Sequence, residues 1–327
     1  MVEETEEPDR DLRPAEYRFG VEADRAGERV DQALAELCGL PRAQVSRWIT
    51  EGRVRIGDTP AKRPSQRVRT GDILRADPPE IVEATVLPED IELHVLHEDE
   101  DLIVVDKAAG MVVHPAAGHS SGTLVNALLH HCGDLAGIGG VLRPGIVHRL
   151  DRGTSGVMVA AKNDATHQAL SVQFHDHSIE RIYRTAVRAL PLVNQGRVDS
   201  PIGRHPRDRK RMSVRARSGR PAATRWRVLE RFPKSRAAWL EIHPESGRTH
   251  QIRVHLASIG LPISGDPVYG RGRRASRAGV AAPDRPALHA AVLGFVHPRS
   301  GEKMRFEAPL HPDMLEFLES LRASEAQ

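Results

Sequence analysis

The chain has 327 residues, of which 39% are hydrophobic and 28% charged, so it is long enough to build two hydrophobic cores. Its formal net charge is +3, and 41 arginines stand against six lysines, which favours a partner rich in phosphate groups. The two cysteines, Cys38 and Cys132, lie far apart, which excludes a disulfide framework and a cysteine zinc site. Because the sequence has no apolar run of about 18 residues and an acidic N-terminus unlike a secretory signal, we expect a cytoplasmic protein without membrane association.

Composition divides the chain into a tail, two domains and a linker. Residues 1–16 are acidic and poor in apolar groups, so we expect a disordered tail. Residues 79–90 are acidic and interrupted by prolines, which predicts a linker. The linker would join a small domain, residues 17–78, to a larger one, residues 91–327.

In the small domain, the spacing of apolar residues predicts two helices and a hairpin. The predicted elements are a helix Val30–Leu37 ending near Gly39, a helix whose apolar face is Val45, Trp48 and Ile49 and which ends at Gly52, and a strand Val54–Ile56 with a turn at Gly57 and Asp58. Arg42, Arg47 and Arg53 cluster around the second helix and the strand. This cluster indicates a surface that binds an RNA backbone, although a charged, solvated helix face would look the same.

Alternating and helical patterns also predict the elements of the larger domain. In chain order these are strands at Val95–Leu96, Leu102–Val105 and Met111–Val113, a helix Thr123–His131, a strand Val157–Ala161, a helix Ala165–His175, and strands Ile179–Val187 and Ala238–Ile242. A helix capped by Thr249 follows, with Ile252, Leu256 and Ile259 on its apolar face and Gly260 at its end. The last predicted element is a helix Met314–Leu321.

One stretch of the larger domain places a carboxylate, Asp151, between Arg149 and Arg152, directly before a Gly-Thr-Ser-Gly turn. Loops held by strands are common sites for catalytic groups, and neighbouring arginines keep an aspartate ionised by lowering its pKa. An ionised carboxylate can act as a nucleophile. The same pattern also fits an aspartate that caps a turn between two solvated arginines.

Further along the chain, Tyr183 shares a strand face with Arg181 and Thr185. Its ring could stack on a nucleobase or pack at the edge of the core. His250 and Arg253 lie three residues apart, on one side of the first turn of the predicted helix.

Between these two stretches lies a strongly basic segment, predicted to be a loop or an exposed hairpin that follows RNA phosphates with a steep salt dependence. Its basic residues are Arg204, Arg207, Arg209, Lys210, Arg211, Arg215, Arg217 and Arg220. A flexible, solvated loop is the alternative.

Three of these stretches together resemble a known family. His148-Arg149-Leu150-Asp151, Arg181-Ile182-Tyr183-Arg184 and the run Gly247 to His255 are similar, in the same order, to the motifs of the pseudouridine synthases that act on large-subunit ribosomal RNA, the RluA/RluD group. Arg29 to Leu74 resembles the small RNA-binding domain first recognised in the fourth protein of the small ribosomal subunit. The resemblance implies an α+β protein, with a mixed, mainly antiparallel catalytic sheet and a small N-terminal α/β domain.

The resemblance also implies an activity, which is the isomerisation of uridine to pseudouridine in RNA without a metal or a cofactor. The expected partner is large-subunit (23S) ribosomal RNA or a ribosome precursor, and we expect a monomer. Asp151 would be the nucleophile on a flipped-out uridine, attacking either the anomeric carbon or the base ring. Tyr183 would pack on the base and assist proton transfer, Arg253 would pair with Asp151, and Arg149 would fill the space left in the RNA.

Two other classes of function remain open at this stage. A metal-dependent RNA hydrolase could use His148, His250, His255 and Asp151, although two histidines five residues apart lack the i, i+4 spacing of helical metal ligands. A non-catalytic ribosome assembly factor could use only the N-terminal domain and the basic segment.

Overall fold

The computed structural model describes residues 16–40, 42–77, 86–115, 119, 121–132, 145–208, 211–216, 218–270 and 280–326. The predicted acidic tail up to residue 15, the predicted linker up to residue 85, and Arg209, Lys210 and Arg217 lie outside these residues. The chain forms two compact units, Met1–Glu83 and Ala84–Gln327.

The first unit is a four-stranded antiparallel sheet with two helices. Its elements are β1 (Tyr17–Gly20), a 3-10 turn (Ala23–Arg25), α1 (Val30–Cys38), α2 (Arg42–Thr50), β2 (Val54–Ile56), β3 (Thr59–Pro60) and β4 (Ile73–Ala76), with strand order β1-β4-β2-β3. The predicted helices and hairpin are confirmed. Helix α1 ends because Gly39 takes a left-handed conformation, with φ of 64°, that residues with a side chain rarely adopt. Leu34, Trp48 and Leu74 form the centre of its core.

The second unit is built on a nine-stranded sheet in the order β5-β6-β7-β14-β8-β13-β12-β9, with β15 paired to β14. Its strands and helices are β5 (His94–Glu98), β6 (Leu102–Lys107), α3 (Leu124–Cys132), β7 (Ser155–Ala161), α4 (Asp164–His175), β8 (Glu180–Val187), β9 (Gln195–Asp199), β10 (Gly203–Arg204), β11 (Met212–Ser213), β12 (Ala223–Phe232), β13 (Ala237–Pro244), α5 (Gln251–Ser258), β14 (Leu288–Val296), β15 (Lys303–Glu307) and α6 (Pro312–Ala326). Among the strands that the structure describes, β7 and β14 are the one pair that runs parallel, which confirms the mixed, mainly antiparallel sheet.

Strand β7 lies at the centre of this sheet and is buried on both faces. Alternate residues of the neighbouring β6 serve different helices, since Ile103 and Val105 pack with α3 while Leu102 and Val104 pack with Leu170 of α4. Helices α5 and α6 cover the part of the sheet around β8, β12 and β13. This packing holds the ends of β7 in place. Asp151 lies four residues before Ser155, the first residue of β7, and is therefore close to a fixed part of the sheet.

Three local predictions are wrong, and several strands were missed. Met111–Val113 is not a strand, because only Val112 makes an isolated bridge, to Thr123. The residue at the N-cap position of helix α5 is His250 and not Thr249. Ile259 is 42% exposed and does not belong to the apolar face of this helix. Strand β12 was among the strands that were not predicted, because its arginines were assigned to the basic segment and not to the outward positions of a strand. Among the described helices, none has both the length and the apolar character needed to cross a bilayer.

Candidate active site

Asp151 lies on a tight turn that a distant segment of the chain holds in place. The turn is closed by the Thr154 N–H, which donates to the Asp151 carbonyl oxygen at 3.0 Å. Arg285, in the segment before β14, donates to the Gly153 carbonyl oxygen at 3.1 Å. A Cβ atom at Gly153 would lie 2.9 Å from the ring of Pro286, so the close approach needs glycine. The main chain that carries the carboxylate is therefore fixed.

The segment that leads into this turn is anchored by His148. Its Nε2 accepts a hydrogen bond from the Val159 N–H of β7 at 3.1 Å, and its ring stacks on Phe174 of α4 with centroids 4.4 Å apart. Burial lowers the pKa of His148 to about 3, so the imidazole is neutral at pH 7. His148 thus serves the framework of the site, and its acceptor nitrogen is occupied.

Arg253 of α5 joins two carboxylates. Its Nη1 donates to Asp151 Oδ2 at 2.8 Å, while Nε and Nη2 donate to the two oxygens of Asp266 at 2.7 and 3.0 Å. Asp266 Oδ1 also accepts from the backbone N–H groups of Val268 and Tyr269. Burial alone would raise the pKa of Asp266, but the bonds from Arg253 outweigh it and lower that pKa. The guanidinium is 7% exposed and the carboxylate of Asp266 0%, so the fork is rigid.

Asp151, Tyr183 and Arg253 line one open cleft of about 590 Å³, a size that suits a single nucleotide. Tyr183 reaches the cleft from β8 and is half-buried, and burial raises the pKa of its phenol. Arg149 is exposed and lines the same cleft. The three residues predicted to be catalytic are therefore brought together from parts of the chain up to 102 residues apart.

Three residues that matter for this arrangement were missed from the sequence. Asp266 and Tyr269 lie in a short turn with no periodic pattern, and only the tertiary structure brings them to Arg253. Lys107 is 1% exposed at the end of β6 and donates to the carbonyl oxygens of Ala108 and Met111. Burial lowers the pKa of Lys107 to about 7. A lysine next to an Ala-Ala-Gly turn gives no sequence signal of such burial.

The arginines predicted to bind RNA occupy two separate places. On the hairpin β10–β11, Arg204 and Arg207 are exposed, while Arg211 is half-buried with its guanidinium 5.4 Å from the Tyr269 ring centroid. The prediction of an exposed hairpin in this segment is confirmed for the part that the structure describes.

In the first unit, the three predicted arginines have different surroundings. Arg47 is exposed on α2. Arg42 donates at 3.0 Å to Asp31, a buried carboxylate that Arg29 also holds. Arg53 lies 3.4 Å from Glu51. Arg42 therefore contributes to the core of this unit as well as to its charged surface.

Of the three histidines considered as metal ligands, His148 and His255 hydrogen-bond to the framework of the fold. His255 is fully buried and hydrogen-bonds Thr224 and the Ser200 carbonyl oxygen at 2.9 Å each. Within the described ranges, the one cluster of carboxylates and histidine with metal-like spacing is Asp99, Asp101 and His297. Its carboxylates already pair with Arg299 and His97, and none of its members lines the cleft.

Comparison with known proteins agrees with the geometry. Residues 101–258 match the family model of the RNA pseudouridylate synthases, and residues 28–74 match that of the S4 domain. An uncharacterized RNA pseudouridine synthase of Bacillus subtilis (strain 168) is 45% identical over 91% of this chain and 96% of its own length. A ribosomal large subunit pseudouridine synthase D of Zymomonas mobilis is 46% identical over 88% of this chain and 92% of its own.

A solved structure supports the same grouping. The human RNA pseudouridylate synthase domain containing 4 superposes with a TM-score of 0.55 and 26% identity, over 70% of this chain and 93% of its own. The relatives are matched over nearly their full length, so the likeness includes both the S4 domain and the unit that carries the cleft. The chain therefore belongs to the RNA pseudouridine synthases, enzymes that isomerise uridine to pseudouridine in RNA.

Proposed function

We propose that Asp151 is the nucleophile of this isomerisation and that the substrate is large-subunit (23S) ribosomal RNA. The observation that carries the first part is the 2.8 Å bond between Arg253 and Asp151 Oδ2, inside a cleft of nucleotide size. A charge-assisted bond to a fixed guanidinium orients the carboxylate. An ionised, oriented carboxylate in a partly dehydrated cleft is the form that attacks carbon.

The reaction detaches the base from the sugar at nitrogen and rejoins it through a ring carbon, with no net change in composition. The uridine must first leave its stack, which costs about a few kcal/mol. Arg149 is proposed to fill the space that the base leaves in the RNA, and the Tyr183 ring to pack on the base. Attack by Asp151 at the anomeric carbon displaces the base nitrogen directly, whereas addition of Asp151 to the base ring gives an adduct in which the bond between nitrogen and sugar breaks in a later step. In either route, the bond to Asp151 breaks again before the product leaves, which regenerates the carboxylate. In both routes, the ring carbon finally loses a proton and the released nitrogen gains one.

Two observations support the choice of substrate. Relatives at 46% and 41% identity, from Zymomonas mobilis and Neisseria meningitidis, bear the name ribosomal large subunit pseudouridine synthase D. The S4 domain provides a second basic surface, with Arg42, Arg47 and Arg53 on or beside α2, as a large structured RNA requires.

We further propose that the enzyme works as a monomer in the cytoplasm. The residues named in the mechanism all come from one unit of one chain, so the proposed site needs no second subunit. Light scattering should give a mass near 36.0 kDa. A stable dimer at working concentration would contradict the monomer.

The nucleophile is tested by Asp151→Asn, which keeps the shape of the side chain and removes its charge. We expect turnover to fall below detection while the Kd for RNA changes by less than about threefold, since most phosphate contacts remain. The matched control is Asp90→Asn, at an aspartate of the same unit whose side chain is 92% exposed. Full turnover by Asp151→Asn, or equal losses of turnover and binding, would reject the assignment.

The substrate is tested in cells that lack this protein, complemented with wild type, Asp151→Asn or Asp90→Asn. Carbodiimide treatment and reverse transcription map pseudouridines in the large-subunit RNA as specific stops. We expect some stops to vanish in the deletion and to return with wild type and Asp90→Asn only. If every stop persists in the deletion, the substrate is another RNA. A further strain carries Asp151→Ala, and if that variant restores every phenotype of the wild type, the protein acts in the cell as an assembly factor.

A further inference from the structure

The residue before helix α5 has a conformation that residues with a side chain rarely adopt. His250 has φ of 56° and ψ of 20°, and its side chain makes no capping bond to the helix. A left-handed conformation at a non-glycine residue costs about 1 kcal/mol or more and persists only when its surroundings impose it. The side chain must therefore find its contacts outside the helix.

Those contacts lie on both sides of the imidazole ring. Nδ1 is 2.9 Å from the hydroxyl of Tyr269, and Nε2 is 3.8 Å from Asp151 Oδ2. The Tyr269 hydroxyl accepts a hydrogen bond from the Met212 N–H of β11 at 2.9 Å. With that bond received, the hydroxyl has its own proton to donate to Nδ1, which leaves the imidazole hydrogen on Nε2, facing the carboxylate.

The contacts continue to the basic hairpin. Arg211 and Arg253 both lie against the Tyr269 ring, with guanidinium carbons 5.4 and 5.1 Å from its centroid. Tyr269 thus touches the hairpin through Arg211 and Met212, and the cleft through His250. Arg253 and His250 approach the same oxygen of Asp151 from the two ends of this cluster.

We propose that His250 is a positioning residue, which directs an Nε2–H donor at Asp151 and is itself held by Tyr269 and the β10–β11 hairpin. Arg253 provides the positive charge that pairs with Asp151, and His250 orients the Asp151 carboxylate. A neutral imidazole can do this because it donates a hydrogen bond without adding a second cation. The 3.8 Å separation shortens to hydrogen-bond length when RNA closes on the hairpin, as catalytic hydrogen bonds often tighten only in the complex. This inference rests on the proposal that Asp151 is the nucleophile.

The central test is His250→Gly, which removes the ring but suits the left-handed backbone. Glycine avoids the strain but is freer in the unfolded chain, so Tm should stay within a few degrees of wild type. We expect kcat to fall by about 10- to 100-fold, the usual effect of losing one bond to a charged group, while KM and the Kd for RNA change less than about threefold. Added imidazole should restore part of kcat.

The control is Arg236→Gly, which makes the same backbone change at the turn before β13, where φ is 51°. It should leave kcat unchanged. Tyr269→Phe tests the chain of contacts, because it removes the hydroxyl and keeps the ring. We expect it to lower kcat about tenfold alone and to add nothing in the His250→Gly background, since the Tyr269 hydroxyl acts only through the imidazole that His250→Gly removes.

The outcomes separate this inference from the proposed nucleophile. If Asp151→Asn is inactive and His250→Gly keeps full kcat, the positioning role is wrong and the nucleophile stands. If Asp151→Asn is active, both are wrong. A fall in kcat that comes with an equal loss of RNA binding, or with a Tm well below that of Arg236→Gly, would make His250 merely structural. Independent effects in the double variant would overturn the link through Tyr269.

Discussion

Arg253 is surrounded by two carboxylates that play different parts. The Asp266 side chain is fully buried and accepts hydrogen bonds from Nε and Nη2 of Arg253. The Asp151 side chain is 18% exposed and accepts a hydrogen bond from Nη1. A buried guanidinium without a partner is strongly unfavourable, so Asp266 would keep Arg253 in place if Asp151 engages the substrate as proposed. Arg253, which lines the cleft, is thus held by Asp266, which does not line it.

At the scale of single residues, Asp266→Asn tests this division. We expect it to lower the free energy of unfolding by about 3 kcal/mol, because it breaks a buried ion pair, and to lower kcat as Arg253 loses its orientation. Chemical denaturation and single-turnover kinetics measure the two effects. Glu230→Gln is the control, since it removes a forked partner of Arg322 at an exposed position and should cost less than about 1 kcal/mol. Equal costs at both sites would disprove the role of burial.

At the scale of elements, three adjacent strands are tied by one carboxylate. Glu241 of β13 is paired in register with Arg184 of β8 and Arg227 of β12, and forms ion pairs with both. His243 Nε2 lies 3.0 Å from the same group. Burial would raise the pKa of Glu241, but these bonds outweigh it and lower the pKa to about 2. The pairing holds β8, which carries Tyr183, in register with the sheet.

This ion pairing predicts a pH dependence. The pKa of Glu241 is lowered on folding from 4.5 to about 2, so its contribution is present above pH 4.5 and is lost as the pH falls towards 2. Glu241→Gln should therefore be less stable than wild type by roughly 3 kcal/mol at neutral pH. The two proteins should converge near pH 2, where the protonated carboxyl resembles an amide. Denaturation at a series of pH values measures the difference, and a constant difference would contradict the assignment.

At the scale of the whole molecule, exposed arginines occur in both units. Arg47 lies on α2 of the S4 domain and Arg207 on the β10–β11 hairpin. If both units bind one RNA at the same time, their phosphate contacts release counterions independently. The salt dependence of the affinity for RNA should then be the sum of the contributions from the two surfaces.

The salt dependence of RNA binding tests this expectation. Arg47→Ala and Arg207→Ala should each reduce the slope of log Kd against log salt by about 1, and the double variant by about 2. Arg322→Ala is the control, because it removes an arginine that is paired with Glu230 at the C-terminal helix. An unchanged slope for Arg207→Ala would show that the hairpin does not contact RNA.

The sequence by itself predicted part of the local structure and the candidate reactive groups. Apolar spacing predicted α1, α2, α4 and the strands β2, β5, β6, β7, β8 and β13, because those signals depend on residues a few positions apart. The three motifs gave Asp151, Tyr183 and Arg253 through their resemblance to a family. Thr249 was mistaken for the helix cap because its residue type favours that position, whereas the chain caps α5 with His250.

The tertiary structure alone decided how these groups meet. The contact of Arg253 with Asp151, which spans 102 residues, was expected only from the family resemblance. That of His250 with Tyr269, which spans 19, was not expected at all. The parallel pairing of β7 with β14 also needs Gly156, with φ of 116°, where a Cβ would overlap the carbonyl oxygen of Ala290. Such contacts leave no periodic trace in the sequence. They arise when separate segments pack on one sheet, and burial then fixes which charges can pair.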